Sequence, residues 1–186
     1  MKNLFLKILL IVTSALIISS VTNLNAQVFS PSETGKSALK MAPDFSANDL
    51  SGKSIVFSSF KGKPILLNFW ATWCPNCREE RKYLNSFYEE YKDKGIVVIS
   101  VSTDRSPDLV KTYLNKVPMN FIILHDASRQ AARAYGVSAL PTSYLINREG
   151  LIKQRFLGVV DWTDKESKKL IDELLKEKKD KNKEKE

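Results

Sequence analysis

The stretch Phe69-Trp70-Ala71-Thr72-Trp73-Cys74-Pro75-Asn76-Cys77 holds both cysteines of the 186-residue chain, two residues apart. Just upstream, the apolar run Ile65-Leu66-Leu67-Asn68-Phe69-Trp70 predicts a buried strand. Just downstream, apolar residues recur at helical spacing from Pro75 to about Lys94, which predicts a helix. The cysteine pair is therefore expected where a buried strand turns into a helix.

That position predicts different roles for the two cysteines. The free N–H groups and the positive end of the dipole at a helix start stabilise an anion, which lowers a thiol pKa below its usual value of about 8.5. Cys74, at the predicted cap, is the expected nucleophile. Cys77 lies one turn further along and should be less exposed, so we expect it to resolve the mixed disulfide. Pro75 suits the first turn, where a missing N–H costs nothing.

A second motif, Ala139-Leu140-Pro141-Thr142, leads into another apolar strand. Together with Trp-Cys-x-x-Cys after an apolar strand, it resembles the thioredoxin superfamily. Four features look like the TlpA/ResA-like extracytoplasmic thioredoxins: Met41-Ala42-Pro43-Asp44-Phe45, the form Asn68 to Cys74, a glutamate three residues after Cys77, and Leu140-Pro141-Thr142 with Leu145-Ile146-Asn147. The resemblance covers residues 40 to 175 and implies an exported thiol-disulfide oxidoreductase.

The resemblance also implies how the site is built. Pro141 would form a cis-proline loop beside the cysteines and leave the backbone near Cys74 free to pair with a substrate strand. The residues between the cysteines influence the redox potential, and Asn76 is expected to place a donor near the thiolate. The residues expected to contact substrate are Trp73, Pro75, Asn76, Leu140 and Pro141.

Glu80 is the third expected catalytic residue. It lies three residues after Cys77, which places it at the edge of the apolar stripe of the helix. A partly buried carboxyl has a raised pKa and can exchange protons with Cys77. Asn68, which cannot titrate, stands where thioredoxin proper has a buried aspartate. The alternative for Glu80 is a surface salt bridge to Arg81 or Lys82.

The remaining periodicity predicts strands alternating with helices, and hence a three-layer α/β fold with a central mixed sheet and an N-terminal hairpin extension. The predicted strands are 45–50, 54–60, 96–101, 121–124, 143–147 and 151–157, and the predicted further helices are 107–117, 127–135 and 163–175.

The ends of the chain have a different composition. Residues 1–26 carry Lys2, Lys7 and an apolar stretch from Ile8 to Val21, which is typical of a signal peptide or an uncleaved anchor. Residues 27–39 are expected to form a linker. Residues 176–186 are nearly all Lys and Glu and are expected to form a flexible charged tail. Either reading of residues 1–26 predicts export to the periplasm or the outer face of the cytoplasmic membrane.

Composition sets further bounds. A chain with 43% hydrophobic and 27% charged residues is expected to form one globular domain. The net charge is +8, but the basic residues are scattered among acidic ones or lie in the C-terminal tail. No nucleic-acid motif accompanies them, so nucleic-acid binding is not expected. A zinc site needs two further ligands beyond the cysteines, and His125 is the only histidine, so no metal is expected. A copper chaperone resembling the Sco family is disfavoured because those proteins have three residues between the cysteines.

The expected activity is reduction of disulfides in extracytoplasmic proteins through a Cys74/Cys77 dithiol cycle, with no cofactor and in a monomer. By resemblance, the partners would be disulfide-containing proteins such as apocytochrome c and a membrane thiol reductant. One alternative is a peroxiredoxin-like thiol peroxidase, because residues 41–45 also look like that family. The other is a noncatalytic peptide-binding module.

Overall fold

The structure, a computed structural model, describes residues 40–177. The predicted signal or anchor segment 1–26, the predicted linker 27–39 and most of the predicted tail, residues 178–186, lie outside the described residues. Within the described part, no helix combines the length and the apolar character needed to cross a membrane.

Within residues 40–177, seven strands form one sheet, and four α-helices and a short 3-10 helix accompany it. The strands are β1 (Ser46–Asp49), β2 (Ser54–Val56), β3 (Ile65–Trp70), β4 (Val97–Ser102), β5 (Ile122–His125), β6 (Thr142–Ile146) and β7 (Ile152–Leu157). The helices are α1 (Pro75–Tyr91), α2 (Pro107–Leu114), α3 (Gln130–Ala134) and α4 (Lys165–Lys176), with the 3-10 helix at Phe57–Phe60.

The sheet is mixed, with the strand order β2-β1-β5-β4-β3-β6-β7. The central strands β3, β4 and β5 run parallel to one another, whereas β1, β6 and β7 join by antiparallel pairing. Every residue of β3 is buried, as a central strand covered on both faces requires. The β1–β2 pair is antiparallel and lies at one edge of this same sheet.

The two faces of the sheet carry separate apolar clusters, because alternate residues of a strand point to opposite faces. Leu66 and Trp70 of β3 pack with α1, α2 and α4 on one face. Leu67 and Phe69 pack with α3 and the 3-10 helix on the other. This gives the predicted three layers. Asn68 lies between Leu66 and Trp70 on the α1 face, so a polar side chain is buried beneath the active-site helix.

Several predicted boundaries are wrong for local reasons. The second predicted strand, 54–60, stops at Val56, and Phe57–Phe60 forms a 3-10 helix that buries Phe57. The third predicted helix, 127–135, begins only at Gln130, because Arg129 has a left-handed backbone conformation with φ of 58°. The carboxylate of Asp126 accepts hydrogen bonds from the N–H groups of Gln130 and Ala132.

The packing of α1 on the sheet predicts a specific stability effect. Leu84 is fully buried in the cluster on the α1 face, so Leu84→Ala should lower the free energy of unfolding by about 2–5 kcal/mol through lost transfer energy and a cavity. Urea denaturation of the oxidised protein measures this change.

Leu109→Ala on α2 is the matched control. Leu109 is 51% exposed, so the same truncation should change the free energy of unfolding by no more than about 0.5 kcal/mol. Equal losses for the two variants would contradict the assignment of the α1 face as the core.

Candidate active site

Cys74 occupies the N-cap of α1, and Pro75 is the first residue of the helix. The Cys74 Sγ accepts a hydrogen bond from the Cys77 N–H at 3.2 Å, and the Cys74 carbonyl accepts one from the Arg78 N–H at 3.2 Å. One N–H of the first turn, that of Cys77, therefore points at the first sulfur. A thiolate formed there would be stabilised by this donor and by the helix dipole.

The two cysteines are joined by a disulfide, so the structure shows the oxidised protein. Cys74 is 5% exposed and Cys77 is fully buried. Only the first sulfur is therefore open to a substrate, which is the order of exposure that the sequence predicts.

The segment before Cys74 is fixed by contacts that the sequence interpretation missed. The Thr72 N–H and hydroxyl both donate to the buried Asp104 carboxylate, at 2.9 and 2.6 Å, and Ser102 donates to the same carboxylate at 2.7 Å. The Arg78 Nε donates to the Thr72 carbonyl at 2.7 Å. These bonds hold the loop between β3 and α1 from both sides. Asp104 is 32 residues from Thr72 in sequence, so no local pattern indicates the contact.

The predicted cis-proline loop lies at the same end of the sheet. The Leu140–Pro141 peptide bond is cis. Strand β6 begins at Thr142, which pairs with Phe69 near the end of β3, so Pro141 is next to the point where the chain leaves β3 for Cys74. Leu140 packs against both apolar clusters and remains partly exposed.

The surface around the Cys74 sulfur is open to solvent. Trp73 is 63% exposed, which is unusual for so large an apolar side chain. Pro75 and Asn76, between the cysteines, are also exposed. These three residues form the outer surface of the turn and are available to a protein substrate. Asn76 makes no side-chain hydrogen bond to Cys74 in the oxidised protein.

Glu80 is more deeply buried than the sequence predicts. The helical pattern places it at the edge of the apolar stripe, but its exposed fraction is 0%. The indole of Trp162, in the segment after β7, covers it and donates to its Oε1 at 3.1 Å, and the Val160 N–H donates to the same oxygen at 3.3 Å. Asn68 donates to its Oε2 at 3.0 Å. The alternative of a surface ion pair is wrong, because no solvent reaches this carboxyl.

Burial raises the pKa of Glu80 to about 7, against its ordinary value of 4.5, because a carboxylate is costly away from water. The charge of Arg81 and the donors Trp162, Val160 and Asn68 act in the opposite direction. The side chain of the next residue, Arg81, is buried as well. A group that titrates near neutral pH, one helical turn after Cys77, is suited to proton exchange with that thiol.

The remaining candidate residues do not join this site. The His125 ring nitrogen Nε2 is 2.8 Å from the carbonyl oxygen of Asp104, so the imidazole is held by backbone. Among residues 40–177, no group of three or more His, Cys, Asp or Glu side chains is arranged to hold a metal ion.

The chain is similar to known proteins over most of this domain. The AhpC/TSA family profile matches residues 38–155. The thiol-disulfide oxidoreductase ResA of Bacillus thuringiensis is 37% identical over 137 residues, which are 74% of this chain and 76% of that protein. ResA of Bacillus subtilis is 38% identical over 119 residues, which are 64% of this chain and 66% of that protein.

Solved structures similar to this chain are also described as thiol:disulfide interchange proteins. A crystal structure assigned as a thiol:disulfide interchange protein DsbE, from Chlorobium tepidum, has a TM-score of 0.69 and 31% identity, and covers 74% of this chain and 96% of that one. A thiol:disulfide interchange protein from Bacteroides sp. has a TM-score of 0.65 and 26% identity, over 80% of this chain and 96% of that one. The chain therefore belongs to the AhpC/TSA family of thioredoxin-like proteins and is a ResA-like thiol-disulfide oxidoreductase.

Proposed function

We propose that this protein reduces disulfides of other extracytoplasmic proteins, with Cys74 as nucleophile, Cys77 as resolving thiol and Glu80 as proton acceptor. The observation that carries the proposal is the buried carboxyl of Glu80, one helical turn after the buried Cys77. The partner of Cys77 in the disulfide, Cys74, caps the same helix. The three residues follow one another at three-residue intervals, from the N-cap of α1 into its second turn. A carboxyl that can accept a proton near Cys77 favours resolution of the mixed disulfide, because Cys77 must be deprotonated before it attacks.

The proposed cycle balances two electrons. The Cys74 thiolate attacks the substrate disulfide, forms a mixed disulfide and releases one substrate thiolate. Cys77 then loses its proton to Glu80, and its thiolate attacks the Cys74 sulfur. The second substrate thiolate leaves, the substrate has gained two electrons, and the Cys74–Cys77 disulfide seen in the structure is formed. A membrane thiol reductant would return the enzyme to the dithiol.

Export is supported by the sequence of the first 26 residues, which has two lysines before an apolar stretch. Outside the cytoplasm, a protein with a single cysteine pair has no structural disulfide to protect, and the pair is free to cycle. The substrates we propose are disulfide-containing proteins, apocytochrome c among them. They would bind as an added strand beside Pro141, with Trp73, Pro75, Asn76 and Leu140 at the rim.

Replacement of each cysteine tests the cycle. With dithiothreitol as reductant, Cys74→Ser should reduce insulin no faster than dithiothreitol alone, because the attacking sulfur is lost. Mixed with insulin after dithiothreitol has been removed, reduced Cys77→Ser should still attack but should accumulate the Cys74 mixed disulfide, which mass spectrometry detects. Insulin reduction by Cys74→Ser at the wild-type rate would exclude this assignment.

The same preparation distinguishes the peroxidase alternative, which the AhpC/TSA match keeps relevant. Hydrogen peroxide should be consumed more slowly than a protein disulfide is reduced. Faster peroxide consumption would instead favour a thiol peroxidase.

Replacement of Glu80 tests the proton transfer. In Glu80→Gln the resolving thiol has no nearby base, so the mixed disulfide should live longer, by on the order of tenfold. Because the pKa of Glu80 is about 7, the wild-type carboxyl is protonated at low pH and offers no advantage there. The two lifetimes should therefore converge below about pH 6 and differ most from about pH 7 to 8.5, below the range where the thiol ionises unaided. Stopped-flow measurement of the lifetime against pH gives both curves.

Glu79→Gln is the matched control, since Glu79 is the adjacent residue and is exposed. It removes the same charge from the surface and should leave the lifetime unchanged at every pH. Superimposable profiles for wild type and Glu80→Gln would limit Glu80 to a structural role.

A further inference from the structure

Arg81 is a buried cation without a carboxylate in direct contact. It is 2% exposed, and among residues 40–177 no ion pair within 4.0 Å includes it. Its guanidinium carbon lies 4.3 Å from the centre of the Trp70 ring, a cation–π contact. Burying an ion costs several kcal/mol unless its surroundings compensate. A cation kept here, next to Glu80 in sequence, therefore needs a physical reason.

The guanidinium reaches Glu80 through one side chain. The Arg81 Nη2 donates to Asn68 Oδ1 at 2.9 Å, and Asn68 Nδ2 donates to Glu80 Oε2 at 3.0 Å. The Asn68 amide is thus interposed between the cation and the carboxyl. Its oxygen faces the positive group and its nitrogen faces the negative one.

The amide cannot rotate to the opposite orientation without losing this pattern. Its oxygen also accepts from Ser100 at 2.9 Å, and its nitrogen also donates to Ser143 at 2.9 Å. Both donors and both acceptor sites of Asn68 are therefore used. A rotated amide would direct its N–H groups at the guanidinium, which has only donors, and its oxygen at a carboxylate.

We propose that Arg81 is a positioning residue of the redox reaction, which orients Asn68 to donate to Glu80 and keeps that carboxyl available as a base for Cys77. The catalytic consequence of this proposal rests on the proposed role of Glu80. The effect of Arg81 on the pKa of the Glu80 carboxyl does not. Arg81 is buried among residues of the protein itself, so its proposed role needs no contact with substrate.

The other charged and titratable groups near Glu80 do not supply this effect. Cys77 precedes it by one turn and is in a disulfide here. Asp161, in the segment that covers the carboxyl, is partly exposed and accepts from the Thr163 N–H. On α2, Tyr113 acts on Arg81, whose pKa falls to about 10 on burial, so Arg81 remains a cation at neutral pH.

The groups on the strands beneath α1 are neutral. They are Asn68 on β3, Ser100 on β4 and Ser143 on β6. After β7, the donors to Glu80 are the Val160 N–H and the neutral Trp162 indole. Arg81 is therefore the full positive charge that acts on the Glu80 carboxyl.

Direct titration of Glu80 tests the proposal without relying on catalysis. In Arg81→Met, which keeps an unbranched side chain as far as the Arg81 Nε position and removes the charge, the Glu80 pKa should rise by about one unit or more, because a nearby cation lowers a carboxyl pKa by about 1–3 units. Carbon-13 NMR of the Glu80 carboxyl in the oxidised protein measures this value, with Glu80→Gln identifying the signal. A Glu80 pKa within about 0.3 units of wild type would overturn the proposal.

The catalytic consequence is a second readout. A rise of one unit from a pKa of about 7 lowers the ionised fraction at pH 7 from about one half to about one tenth, so the mixed disulfide should live about fivefold longer at that pH. At higher pH the lifetimes should converge. If Glu80→Gln leaves the lifetime unchanged while Arg81→Met still raises the carboxyl pKa, the proposed role of Glu80 fails and the proposed action of Arg81 on it stands.

Two further variants and a control complete the test. Arg81→Lys keeps the charge and should restore a Glu80 pKa close to wild type. Arg81→Gln keeps a donor that can orient Asn68 but removes the charge, so the Glu80 pKa should still rise, though by less than in Arg81→Met. It supplies the measurement if Arg81→Met does not fold. Lys82→Met removes a neighbouring exposed cation and should leave the Glu80 pKa unchanged. An equal shift in Lys82→Met would show a general charge effect and overturn the assignment to Arg81.

Discussion

The four hydrogen bonds of the buried Asn68 amide are the constraint on which the active site depends. They connect β3 to Ser100 of β4, to Ser143 of β6, and to Glu80 and Arg81 of α1. A buried polar group left without a partner costs about 1–3 kcal/mol, so each of these elements must stay in place for the others to be satisfied. The result is that α1 is fixed on the sheet by polar bonds as well as by apolar packing. Its first turn carries the disulfide, so the same bonds locate the reacting sulfurs.

Much of the fold and the core of the site could be predicted because their signals are local. An apolar run predicts β3, helical spacing predicts α1, and the position of Cys74 at the junction predicts the N-cap that the structure shows. The resemblance supplied the cis peptide at Pro141. The three-layer arrangement followed from the alternation of strands and helices.

The parts that could not be predicted depend on contacts between distant residues. Trp162 is 82 residues from Glu80, and it converts a residue at the edge of a helical stripe into a fully buried one. The sequence interpretation names Arg81 only as a partner in the alternative surface ion pair of Glu80, because helical spacing does not show what covers a helix position. The late start of α3 depends on the left-handed conformation of Arg129, a non-glycine residue whose type gives no warning of it.

The two sulfurs lie in different electrostatic surroundings, and this difference indicates how the buried cation would serve the proposed reaction. Cys74 has the helix N-terminus to stabilise a thiolate, whereas Cys77 is buried one turn before Glu80. In the proposed cycle, the negative charge before resolution is on the carboxylate and is balanced by Arg81. When the proton passes from Cys77 to Glu80 in that cycle, the negative charge moves to the sulfur and the carboxyl becomes neutral. The net charge of the buried region stays the same through this step, so the thiolate forms without leaving Arg81 as an uncompensated ion in the core.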